Sequence, residues 1–541
     1  MSLQNKGCFE SVTHGGISVC RFMLGLLCCG ITGPLVSGEI PKLELLEAVR
    51  TALSHHPQLV SQQAQIEISR GAKAVASSIF DPVLQSGVTQ NLTNVAIPLA
   101  ALGAVGGTAD YGLAKLPYND LDYSVTGTKL YRSGISVSPS FQVDRTTNIS
   151  LYPNGLNNSI IGLTVNIPLL RGRGSNVVAA RERAAAMEVR AAQYDLEFLL
   201  GNLASTVAQD YWGLVAAHRN LQVAVLAEAR GKRYVDNTQA LIDAGHVPRS
   251  DINQVEANLA QRTSTRITAE NSLVVARQLL SQDIGLSAEE IIHPLGEPAD
   301  DFPAVPASTA VLSYSQNSLQ EYLSRALTQR ADYLAALSRK EEASTLLPAA
   351  KNGLLPSLNA SFGGGYQDLR GGRGLSDFLA SPVAGIRGPN VAAALTYSYP
   401  LGNQAAHGAL LQTEAAIRQS DIAVQEAARA ISRSITVAVD SVRSGILRVD
   451  KARLSVALSQ EALTGAWEKY RVGLGSLVEI LQDEDLLDAA LGEQVQARLT
   501  YALALTQYRF ALGTLVPANQ QIPVIQREAF MELGSVGVQK P

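Results

Sequence analysis

Residues 441–477 read SVRSGILRVDKARLSVALSQEALTGAWEKYRVGLGSL, and two features of that stretch decide the fold. The first is a period of seven: Val442, Val449, Val456, Leu463 and Tyr470, extending back to Ile435. A second series, Ile431, Ala438, Gly445, Ala452, Ser459 and Ala466, runs four residues earlier. Large residues on one seam and small ones on the other describe a coiled coil whose helices approach closely. The second feature is a break, because Gly473 and Gly475 each cost about 1 kcal/mol relative to alanine inside a helix. The same break stands earlier in the chain, where residues 241–259 read LIDAGHVPRSDINQVEANL.

That echo is part of a duplication. Ala52-Leu53 and Pro82 have counterparts in Ala326-Leu327 and Pro356, at an offset of 274 (326 − 52). Gly245 and Gly473 are offset by 228 (473 − 245), as are Gly285 and Gly513. LTVNIPLL from Leu163 resembles LTYSYPLG from Leu395, at 232 (395 − 163). The offset shrinks because the first half carries extra residues, mostly between Pro82 and Pro168.

Each half reads as helix, strands, a very long helix, a glycine turn and a shorter helix. Long helices are expected over 175–244 and 404–472, each roughly 100 Å at 1.5 Å per residue. Shorter ones, about half that length, are expected over 43–78, 249–284, 318–350 and 477–511. Two short helices stacked end to end equal one long helix, so the bundle has uniform height with joints at its middle.

Strands are expected where polar and apolar residues alternate. Ile161, Leu163, Val165, Ile167 and Leu169 alternate in this way, as do Val391, Ala393, Leu395, Tyr397, Tyr399 and Leu401. Weaker series run from Leu358 to Tyr366 and from Val83 to Thr93, and residues 123–143 read as an extra hairpin turning at Ser133-Gly134. About ten residues is the length of a tilted barrel strand.

Composition agrees with rods rather than an enzyme core: only 5% of the 541 residues are aromatic. A formal charge of -4 leaves no basic footprint, so no nucleic-acid partner is expected. The four cysteines, Cys8, Cys20, Cys28 and Cys29, lie in a start that has the charge, short apolar run and small residues of a secretory signal peptide. The expected division is a signal peptide at 1–38, a first repeat at 39–292, a linker at 293–317, a second repeat at 318–516 and a tail at 517–541. No later segment has the length of apolar run that a membrane-spanning helix needs, so entry into a membrane requires a barrel.

The signal peptide, the duplicated halves, the strands leading through PLLRGRG and PLGNQA into long helices, and YRVGLGS at a helix break together resemble the TolC family of outer-membrane efflux proteins. The resemblance implies a mainly α fold with β: long antiparallel coiled-coil helices, internally duplicated, plus four or more barrel strands per subunit. It further implies a homotrimer whose twelve-stranded β-barrel, set in outer-membrane lipid, continues as an α-helical periplasmic tunnel. A periplasmic adaptor (membrane fusion protein) and an inner-membrane pump are the implied partners, with no catalysis, cofactor or metal.

Under that resemblance the glycine breaks are hairpin tips that dock the adaptor through Gly245, His246, Val247, Gly473, Leu474, Gly475 and Ser476. A turn that touches nothing explains the glycines equally well. The periplasmic gate maps onto Ser250, Asp251 and Tyr470, while the family's gate arginine is replaced by Gly475, leaving Arg249 or Arg471 as substitutes. Glu479 matches one acidic ring position, and the neighbouring Asp483, Glu484 and Asp485 read as a solvated helix face.

Other chemistry is weakly represented. No two of the seven histidines have helical metal-site spacing, and His55-His56 before Pro57 reads as a turn. Glycine-rich pieces lack a phosphate-binding lysine, and residues 369–390 read as an extracellular loop. Two alternatives to a channel are a periplasmic coiled-coil adaptor, which has one hairpin where this chain has two, and a secreted structural coiled coil.

Overall fold

A computed structural model describes residues 42–98, 113–148, 152–245, 248–293, 295–306, 316–372, 376–377, 386–472, 474–516 and 525–533. The expected signal peptide and most of the tail lie outside them. The chain begins with a two-residue strand β1 (Lys42–Leu43), then α1 (Leu45–His55) and α2 (Pro57–Ser77). Four strands follow: β2 (Val83–Pro98), β3 (Leu113–Leu130), β4 (Ser136–Asn148) and β5 (Tyr152–Pro168). After one helical turn at Ser175–Val178 come the long α3 (Ala180–Asp243), then α4 (Asp251–Ile284) and a two-residue β6 (Glu297–Pro298). The second half holds α5 (Gln316–Gln329), α6 (Ala331–Gly353), β7 (Ser357–Gly371), β8 (Ile386–Ser398), α7 (Gln404–Arg471), α8 (Leu477–Ala511) and a short α9 (Glu528–Met531).

Two expected helices are each divided. Pro57 has no N–H to donate and pushes its predecessor into extended backbone, so His56 sits at ψ 130° and its Nδ1 accepts from the Gln58 amide at 3.2 Å. The second division falls at Arg330, also extended at ψ 119°, and 274 residues after His56 (330 − 56). The duplication therefore extends to the joints. Gly285, at φ +87°, closes α4, and a Cβ there would meet the His56 Cα at 3.0 Å. Gly513, at φ +70°, follows α8 and faces Gln329 and Arg330 in the same manner. Left-handed backbone and a stacked helix end at one point leave glycine as the fitting residue.

The helices form one layer of rods. α3 packs along α4 in one half and along α1 and α2 in the other; α7 does so with α8 and with α5 and α6. Leu203, Val207, Tyr211, Trp212 and Leu214 of α3 bury against α1 and the end of α4. The α7 seam is buried as its heptads require at Ile435, Ala438, Val442, Val449, Ala452, Leu463 and Ala466. At Gly445 the partner helix comes so close that a Cβ would stand 3.2 Å from the Tyr501 Cα. Midway along α3, Tyr211 Oη donates to the Leu43 carbonyl at 2.9 Å and accepts from the Asp300 amide at 3.0 Å, so linker residues lie against the middle of the rods.

Six of the strands form one antiparallel sheet in the order β2-β3-β4-β5-β7-β8, while the short β1 and β6 pair in parallel with each other. The sheet has six strands where the resemblance implies four or more per subunit. The additional pair is the hairpin expected at 123–143, and it is longer than the alternation suggested. In the half of the sheet nearer the rods, side chains on one face are mainly polar or small and those on the other mainly apolar; farther out the second face also carries Arg145, Asn157 and Asp368. Leu84, Val88, Leu92, Phe362, Tyr366, Val391, Leu395 and Tyr397 project from the second face and are exposed in the single chain. No helix among the described residues is long and apolar enough to cross a membrane.

Candidate functional site: the hairpin ends

Both long helices reverse at the end of the bundle away from the sheet. Gly245 closes the first tip at φ +76°, its amide bonded to the Ile242 carbonyl at 2.9 Å. At the second tip the Leu474 amide donates to Lys469 O at 2.9 Å, and the Ser476 hydroxyl caps α8 by accepting from the Glu479 amide at 3.2 Å. A Cβ on Gly475 would stand 2.9 Å from the Tyr470 nitrogen, so this glycine permits the tight return. Leu474, 82% exposed, and the nearby Val472, 69% exposed, are apolar side chains that this tip presents. His246, Val247 and Gly473 lie outside the described residues.

The expected gate residues come to the same end of the bundle without bonding as one lock within a chain. Ser250 donates to the carboxylate of its neighbour Asp251 at 3.1 Å. Tyr470 packs edge-on against Trp467, which also stacks on Tyr234 across the two hairpins. Glu479 pairs with Lys469 at 3.0 Å, which offsets its charge.

One expectation is overturned. Glu484, read as part of a solvated face, is 1% exposed and is the centre of an ion network between the hairpins. Arg230 of α3 donates to it at 2.8 Å, and Tyr234 donates its hydroxyl to the other carboxylate oxygen. Arg262 of α4, 5% exposed, lies 3.4 Å from Glu484, 3.0 Å from Asp488 and 3.2 Å from Asp485. It also donates to Asn258 Oδ1 at 2.6 Å and to the Ala227 carbonyl at 3.2 Å. The side chain has room because residue 231 is glycine, where a Cβ would come within 3.1 Å of Arg262 Cδ.

Burial drives the electrostatics. Desolvation raises the Asp488 carboxyl above the usual range even though both arginines pull it down. The Tyr234 hydroxyl is pushed up by burial and by the Glu484 carboxylate it serves. A cavity of about 460 Å³ adjoins the network between α3, α4 and α8, lined in part by Ala224, Thr265 and Gly492. No cluster of three or more metal-binding side chains occurs among the described residues.

Spacing alone carried a signal for this network. Val255 and Arg262 are seven apart, and Ile480 and Glu484 four apart, so the charges interrupt apolar seams. A charge that is buried at a seam position needs a partner there.

The comparisons with known proteins bear on the fold. The family described as Outer membrane efflux protein matches residues 128–286. Outer membrane protein TolC of Vibrio cholerae is 23% identical over 310 residues, which is 57% of this chain and 67% of that protein. The structure of the CmeC outer membrane channel of Campylobacter jejuni superposes with a TM-score of 0.62 at 15% identity, covering 94% of this chain and 96% of that one. The outer membrane protein VceC of Vibrio cholerae gives 0.61 at 17% identity, covering 87% and 96%. At those identities the structural likeness speaks to the fold.

Proposed function

We propose that this chain, which belongs to the TolC family of outer-membrane efflux proteins, joins two further copies to form a passive duct through the outer membrane. The observation that carries the reading is one continuous sheet whose half nearer the rods has a mainly polar face and a mainly apolar face, attached to helices of 64 and 68 residues. An apolar sheet face of that extent suits acyl chains, and a polar opposite face suits a water-filled lumen. Rods of about 100 Å suit a tunnel that continues the lumen into the periplasm. The duct would receive its solutes from an inner-membrane pump through a periplasmic adaptor, at no chemical step of its own.

The adaptor is assigned to the hairpin tips. Gly245, His246, Val247, Gly473, Leu474, Gly475 and Ser476 form that docking surface, supported by the exposure of Leu474 at a turn that gains nothing from an apolar side chain. The gate is assigned to the same end, with Ser250, Asp251, Tyr470 and Glu479 available to neighbouring copies. Leu474→Asp and Gly475→Trp test the docking assignment. Both are expected to leave trimers intact while abolishing pump-dependent resistance; intact trimers with unchanged export would remove the tips from the docking surface.

A further inference from the structure

We propose that the hairpin β3–β4 is part of the membrane wall itself, so that each copy contributes six strands and three copies close an eighteen-stranded barrel through their β2 and β8 edges. The inference rests on the channel reading and sets the width of its exit.

Two neighbouring cross-strand rows run through all six strands. One reads Gln85, Thr126, Ser140, Gly162, Gly365, Asn390, and is polar or small throughout. The next, on the opposite face, reads Ser86, Val125, Phe141, Ile161, Tyr366, Pro389, and is apolar from β3 onward. The alternation does not change phase on entering or leaving the hairpin. A flap standing in the lumen or in solvent would have no reason to turn Val125 and Phe141 to the side that carries Ile161 and Tyr366.

The polar face is also wired from the hairpin's β4 into the rest of the sheet. Gln142 donates to Asp144 at 2.8 Å, and Asn158 to Asp144 at 3.4 Å. Gln367 then donates to Asn158 at 2.8 Å, and Asn390 to Gln367 at 3.1 Å. This chain of side chains joins β4 to β5, β7 and β8.

The turn of the hairpin is fixed to the joint between sheet and rods. Arg132 makes two contacts with Glu182 of α3, at 2.6 and 2.7 Å, and its guanidinium lies 4.7 Å from the ring centre of Phe80. Ser133 O accepts from the Gly174 amide at 2.9 Å, and Lys129 reaches the Phe80 carbonyl. Gly134, at φ +95°, lies so close to the Gly172 carbonyl that a Cβ would stand 2.2 Å from its oxygen. Glycine alone fits there.

Closure follows from the edges. β2 and β8 end the sheet with unpaired backbone groups, which lipid cannot satisfy, and six strands are fewer than the eight of the smallest barrels. Because six is even, β8 of one copy runs antiparallel to β2 of the next, and the pattern continues around the ring. With strands about 4.8 Å apart and tilted about 40°, eighteen strands give a wall about 36 Å across, against about 24 Å for twelve.

Electron cryo-microscopy of the full-length protein in lipid nanodiscs tests this. Six strands per copy in the wall are expected. Four per copy, with the hairpin inside the lumen or outside the wall, overturns the inference and leaves the duct standing; no transmembrane wall overturns the channel reading too. Spin labels at Phe141→Cys and Ser140→Cys, with Cys8, Cys20, Cys28 and Cys29 changed to serine, give an independent reading. The label at 141 is expected to be reached by oxygen from the lipid and the one at 140 by a water-soluble nickel chelate. Water access at both positions contradicts the inference.

Discussion

Arg262 and Glu484 face each other at 3.4 Å, 5% and 1% exposed, and through them the first hairpin is tied to α8 of the second near the tips. Two charges taken out of water are held by mutual pairing and by the hydrogen bonds around them, and loss of one partner leaves the other unpaired in a poorly solvated place. Arg262→Ala is expected to cost about 3–5 kcal/mol of local stability. Hydrogen exchange at backbone amides of residues 227–262 would show it as lost protection. Arg262→Ala with Glu484→Ala should lose less than the sum of the two single changes, and additive losses would show that the pair does not couple.

A second prediction concerns pH. Burial, helped by the adjacent Asp283, raises the Asp210 carboxyl to about 7. A folded-state value above the unfolded one near 3.8 means that the fold favours the proton. Its stabilising contribution is then complete at low pH, falls between about pH 4 and pH 7, and levels off above. Asp210→Asn should flatten this part of the melting temperature's pH profile, and an unchanged slope would assign it to other groups.

The close approach at Gly445 predicts a size limit. With a Cβ already 3.2 Å from Tyr501, Gly445→Leu should force the helices apart and lower stability by about 1–3 kcal/mol. Gly445→Ala should be far milder, since better helix propensity offsets part of the crowding. Comparison of melting temperatures for the two variants checks the order.

At the joint of sheet and rods, Arg132→Ala removes the double contact with Glu182. Faster proteolysis at the Tyr131–Gly134 turn is expected, with the helical tips unaffected. Equal sensitivity at both ends of the molecule would mean that the change acts on global stability instead.

Much of this architecture is legible because periodicity is a local signal. The heptads from Ile431 to Tyr470 give α7 its length and buried seam, and the glycines at 285 and 513 fall at equivalent joints of the duplicated halves. Other features depend on contacts between distant segments. The division at Arg330 carries no proline, and what stands against it is Gly513, from the segment that follows α8. The hairpin β3–β4 was visible as alternation, yet its place in the sheet comes from pairing with β2 and β5. Glu484 looked solvated because it stands between two other acids, and only the seams of α3 and α4 reveal the arginines that enclose it.

A water-filled passage through the membrane would carry ions, and its signature is electrical. Purified protein added to a planar lipid bilayer should produce discrete, uniform conductance steps, larger for Arg262→Ala than for the unaltered chain because the hairpin ends are freed. A bilayer that stays silent, with the protein remaining in the aqueous phase without detergent, would mean that no such passage forms.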